Sequence, residues 1–145
     1  MSIAAPLRSY KTIATQTAPP GQLVLMLYEG AIRFLDRALA GFQHEDPLEF
    51  NTTINNNVIR AQEILTELNN SLDVQQGGDL ATTLRGLYGY MNRQLTISNT
   101  RKSPEGIHDT ITRLSVLRDA WSEMLRQQSS APAAPENFSS FAFNS

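Results

Sequence analysis

The stretch DPLEFNTTINNNVIRAQEILTELNNSL, residues 46–72, decides how the rest of the chain is read. Its apolar groups, Phe50, Ile54, Val58, Ala61, Leu65, Leu68 and Leu72, are spaced by threes and fours throughout. That is the repeat of one face of an α-helix. The start is marked as well. Asp46 can accept from the free N–H groups of the first turn, Pro47 fits the first helical position, and Glu49 can reach back as in a capping box.

Three more segments carry the same period. On the N-terminal side, Pro20 to Gln43 presents Leu23, Leu27, Ala31, Phe34, Ala38 and Phe42. On the C-terminal side, a break at Asp73-Val74-Gln75-Gln76-Gly77-Gly78 leads into a third helix, about Asp79 to Arg101. Its set is Leu80, Leu84, Leu87, Tyr88, Met91, Leu95 and Ser98. Ser103-Pro104-Glu105 opens a fourth, with Ile107, Ile111, Leu114, Leu117, Trp121 and Leu125. Helices of 22 to 26 residues would be roughly 33 to 39 Å long. Short connections between them set neighbours antiparallel. The predicted fold is therefore all-α, an antiparallel up-down four-helix bundle over residues 20–128. Residues 1–19 form an N-terminal arm, and residues 129–145 a flexible tail.

Composition narrows the function classes. The chain has 145 residues, 41% apolar and 18% charged, with a net charge of −2. One core fits that length. No basic stripe is present to hold phosphates, which argues against a nucleic-acid partner. There is no cysteine, so disulfides, thiolate metal sites and thiol catalysis are excluded. No apolar run approaches the ~20 residues of a membrane span, so no direct membrane insertion is expected. The N-terminus lacks the pattern of a secretory signal. These features predict a soluble, cytoplasmic chain.

Chemistry is sought and not found. A di-iron bundle needs two Glu-x-x-His pairs. Glu105 and His108 make one, but His44 has Gly41 three positions before it. Glu105 and His108 read better as a helix start, where a carboxylate meets the helix dipole. Neither histidine sits in a serine or threonine nucleophile motif, and Gly77-Gly78 reads as a turn needing positive φ. No enzyme, metal or cofactor is predicted.

The first helix poses a different question, since Leu23 to Tyr28 is apolar or aromatic without interruption. Beside its core set, Leu25, Ile32 and Leu39 repeat every seven residues and point roughly 140° away. Tyr28 and Leu35 lie at the flank between. A helix apolar on two faces needs a second cover. Ile59 on the second helix, Tyr90 and Ile97 on the third beside Gly86, and Val116 on the fourth also lie opposite their core lines. The arm could supply the cover through Leu7, Tyr10 and Ile13, or another polypeptide could lay helices into the grooves. Burial in a thick bundle and a homodimer seam are the alternatives.

The motifs then carry a resemblance. Tyr10 and the run Pro20-Gly21-Gln22-Leu23-Val24-Leu25-Met26-Leu27-Tyr28-Glu29-Gly30-Ala31-Ile32-Arg33-Phe34-Leu35 resemble the opening of the FliS family of flagellar secretion chaperones. Arg60-Ala61-Gln62-Glu63-Ile64-Leu65 with Glu67-Leu68, then Leu72-Asp73, agree with it. So do Gly77-Gly78-Asp79-Leu80-Ala81, Leu87-Tyr88-Gly89-Tyr90-Met91 and Leu117-Arg118-Asp119-Ala120-Trp121. The match spans about residues 7 to 126.

The resemblance implies a helical bundle that holds the C-terminal segment of flagellin in the bacterial cytoplasm and keeps it from polymerising. It also implies delivery to the type III export gate, whose component FlhA recognises the complex. Leu7 and Tyr10 match the family's arm anchors. The partner-binding set expected on these grounds is Leu7, Tyr10, Leu25, Tyr28, Ile32, Ile59, Tyr90 and Ile97. The free form is expected to be a monomer or weak homodimer. A self-associating structural bundle without a flagellin client is the rival reading. Two departures from the family pattern stand out: Pro19 where a capping Ser is usual, and Gly89 where a polar residue is common. The tail, with Phe138, Phe141 and Phe143, has no family assignment.

Overall fold

The computed structural model describes residues 20–130. Leu7, Tyr10 and the tail beyond Ser130 lie outside them. Four helices follow one another, α1 (Pro20–Gly41), α2 (Pro47–Asn70), α3 (Val74–Arg101) and α4 (Glu105–Ser130). Each packs on the next, and α4 closes the ring against α1. The up-down four-helix bundle expected from periodicity is what forms.

The helix ends follow from their residues. The Asp46 carboxylate accepts from Glu49 N–H at 3.1 Å, satisfying one of the orphan donors of α2's first turn. Glu49 turns its own carboxylate toward His44 Nδ1, 3.3 Å away. Asp73 caps α3 in the same manner, accepting from Gln76 N–H at 3.1 Å. Here the structure moves a boundary. One helical turn precedes the predicted start of α3, and the break falls inside the element at Gly78, with φ 55° and ψ −129°. Only glycine adopts that conformation readily. At the other end of α3, Lys102 is left-handed, with φ 52°. Its Nζ donates to Asn99 O at 2.7 Å and to Asn99 Oδ1 at 2.6 Å, tying the last turn down.

Close approaches set the helix pairs. A Cβ on Gly106 would stand 2.4 Å from Ser98 Oγ and 2.7 Å from Gln94 O, so α4 begins almost in contact with the α3 backbone. Gly41 lets α1 end against Thr53 and Ile54 of α2 in the same way. The α2–α3 seam is polar outside the core. Gln62 Nε2 donates to Asn92 O (3.1 Å) and Thr96 Oγ1 (2.9 Å), and Asn99 Nδ2 donates to Asn55 Oδ1 (2.9 Å).

The core corrects the reading of α1. Tyr28, Leu35, Ala31 and Ala38 are fully buried, with Leu27, Val24, Leu25 and Ile32 close behind. Leu23, Phe34 and Phe42, placed in the core by period alone, are only partly buried. The interior axis is thus rotated toward Tyr28 and Leu35, which periodicity had put at the flank. Leu25 and Ile32, each 8% exposed, are not an outer stripe. The physical reason is that α1 faces α2 on one side, α4 on the other and α3 across the diagonal. It packs more extensively than α3 or α4, most of all along α2, and so buries apolar groups on both sides of its central line.

Candidate functional site

Two tyrosines meet at the centre. Tyr28 of α1 and Tyr88 of α3 sit on diagonally opposed helices, and their hydroxyls are 2.6 Å apart. Both side chains are fully buried. Burial pushes the Tyr28 phenol up to about 12, against a hydrogen bond from Tyr88 that lowers it. Burial also drives Tyr88 well above the ordinary phenol value, and the neighbouring Tyr28 adds to the rise. Tyr28 therefore belongs to the interior and not to an outward surface.

A phenol with a raised pKa keeps its proton in the folded state while the unfolded chain has begun to lose it. Its contribution to stability is whole below pH 10.0 and declines from there toward about 12. Denaturant unfolding followed at increasing pH should therefore give a falling stability above pH 10.0. Two of the four tyrosines should ionise only as the helical signal disappears, which tyrosinate absorbance reads directly.

From this centre a chain of contacts runs to the end of the bundle. The Tyr28 ring meets Trp121 edge-on, centroids 6.5 Å apart at 71°. Trp121 Nε1–H donates to Gly21 O at 2.8 Å, a buried bond from α4 to the first turn of α1. Trp121 thus holds the first turn of α1 from the side. Directly beside it lies a groove of about 480 Å³ lined by Gly21, Gln22, Leu25, Ser122, Leu125, Arg126, Gln128 and Ser129. Leu25, expected at a partner surface, forms part of its floor. Ile32, one helical repeat further on, is buried away from this opening.

The other expected residues divide between two different faces. Ile59 is half-buried on α2, between Asn55 and Gln62, whose side chains bond to α3. Tyr90 and Ile97 lie on the opposite side of α3. The Arg113 guanidinium of α4 stacks over the Tyr90 ring at 4.8 Å, braced by Asp109 Oδ2 at 2.9 Å. Ile97 is 44% exposed, and Val116, one turn beyond Arg113, is 63% exposed. Ile97 and Val116 are thus exposed apolar groups on α3 and α4, while Tyr90 is partly buried beneath Arg113.

Sequence reasoning missed the groove at the α1–α4 end. Only the up-down topology, which sets the first turns of α1 beside the last turns of α4, could have signalled it. Among the described residues no group of three His, Asp or Glu side chains is placed to hold a metal. No helix among them is long and apolar enough to cross a membrane.

The family described as flagellar protein FliS matches residues 3–128, which take in nearly the whole of the bundle. The chain belongs to the FliS family. A flagellar secretion chaperone FliS of Bacillus subtilis is 30% identical over 128 residues, 88% of this chain and 92% of that protein. One from Campylobacter jejuni is 35% identical over 105 residues, 72% and 79% of the two chains. The protein of the same name from Salmonella typhimurium is 30% identical over 129 residues, 86% and 93%. FliS-family membership and the four-helix architecture agree, and a chaperone family is not a class of enzyme.

Proposed function

We propose that this chain is a cytoplasmic export chaperone that shields the C-terminal segment of flagellin and hands it to the export gate component FlhA. The observation that carries this reading is the family match from residue 3 to 128, which includes every exposed apolar group just described. The mechanism is holding by apolar area. Burial of apolar surface is worth about 25 cal/mol per Å², and a segment that orders on the chaperone pays its entropy there and not in a premature filament. Ile59, Tyr90, Ile97 and Leu25 are assigned to client contacts, and Leu7 and Tyr10, outside the described residues, to the same role. Tyr28 and Ile32 support these contacts from beneath.

Titration calorimetry with flagellin, intact and lacking its C-terminal segment, tests the assignment. Intact flagellin should bind and the truncated protein should not. Ile97→Asp and Tyr10→Ala should each weaken binding about tenfold, some 1.4 kcal/mol, with helicity by circular dichroism unchanged. Equal binding of truncated and intact flagellin would remove the client assignment. A concentration-independent homodimer with no affinity for flagellin would favour a self-associating bundle instead.

A further inference from the structure

We propose that the C-terminal segment 131–145 folds back and seats its phenylalanines in the groove between the start of α1 and the end of α4. The segment lies beyond the family match, which stops at residue 128, and the proposal stands whether or not flagellin is the client.

Position is the first argument. Gln128 and Ser129 form one wall of the groove, and the segment begins two residues later. Ser122, at the far wall, is eight residues back along α4, about 12 Å. Phe138 is eight residues forward from Ser130, a reach of up to about 26 Å. The chain can therefore turn round and return along the groove with length to spare.

Composition is the second. Phe138, Phe141 and Phe143 are the only large apolar groups of the segment, separated by Ser139, Ser140 and Ala142. Small spacers let neighbouring rings enter one opening. The groove offers apolar surface from Gly21, Leu25 and Leu125, and a phenyl group gains in proportion to the apolar area it removes from water there.

Charge is the third argument, and it separates the two segments that could reach the site. The charged group lining the groove is Arg126, whose guanidinium is paired with the Glu123 carboxylate one turn back on α4. Residues 131–145 carry one acidic residue, Glu136, and no basic one, whereas residues 1–19 carry Arg8 and Lys11 and no acidic residue. With that pair close to neutral, the C-terminal segment, which brings one charged side chain against two and adds no cation beside Arg126, is the better matched occupant.

The chain has no cysteine and a single tryptophan, which makes the test direct. A nitroxide on Ser140→Cys in the full chain should remove most of the amide signal intensity of Gly21, Leu25, Leu125 and Ser129. It should leave the α2–α3 seam at Asn55 and Asn99 untouched. Because the label could disturb its own docking, the unlabelled chain supplies a second readout. Trp121 bonds to Gly21 at the groove, so its indole N–H resonance should shift in Phe138→Ser/Phe141→Ser/Phe143→Ser with circular dichroism unchanged. Uniform loss of intensity together with an unmoved indole signal overturns the proposal. Loss seen on an unlabelled chain mixed with a labelled one would make a second copy the occupant. A shift caused by deleting residues 1–19, and not by the phenylalanine variant, would give the groove to the N-terminal segment.

Discussion

Trp121→Ala is expected to lower the stability of the bundle by about 3–5 kcal/mol, with a fall in Tm on the order of 10 °C. The side chain is 5% exposed, so its removal opens a cavity between α1 and α4. It also ends the edge-on contact with Tyr28 and the 2.8 Å bond to Gly21 O. The damage should have a direction. Pro19 and Pro20 offer no side-chain cap, so the first turns of α1 lose their lateral tie. Amide exchange should accelerate first from Leu23 to Leu27, while α2, held by Asp46, changes less. Trp121→Phe restores most of the volume but not the N–H donor, and should recover all but about 1 kcal/mol. Equal acceleration in all four helices would show that the indole acts only as core filling.

Tyr88→Phe should cost about 1–3 kcal/mol by denaturant unfolding, because it leaves the Tyr28 hydroxyl in the interior without that partner. Tyr28→Phe should cost a similar amount for the reciprocal reason. The double substitution should cost clearly less than the sum of the two, since no hydroxyl is then left stranded at the centre. The fall in stability above pH 10.0 should also vanish in the double variant, because both shifted phenols are gone. Additive single effects would mean that the 2.6 Å contact does not behave as a unit. The two results together would establish whether the diagonal of the bundle is fixed by a polar contact or by packing alone.

Helix number, order and most boundaries were legible in the residues because they depend on local physics. Asp46 and Pro47 start a helix wherever they stand before an amphipathic run, and Asp73 does the same for α3. Gly78 was visible as a break, though not as a break inside a helix. Ile97 and Val116 could be placed outward from spacing because their helices have narrow apolar faces. The same reasoning failed on α1, where apolar groups occupy more than half the circumference and several core directions satisfy the period equally. Spacing alone therefore sets Leu25 and Ile32 outward and Tyr28 at the flank, where the structure buries all three.

The amino-acid order by itself determined the class of fold, the antiparallel arrangement and the kinship, since helical period, caps and family motifs are each written along one segment. Tertiary structure alone decided which face of α1 is interior, that Tyr28 pairs with Tyr88 across the diagonal, and that Trp121 closes the end beside a groove. Those outcomes join residues 60 and 100 positions apart. They depend on which helices become neighbours, and a local pattern carries no information about neighbours that arrive from elsewhere in the chain.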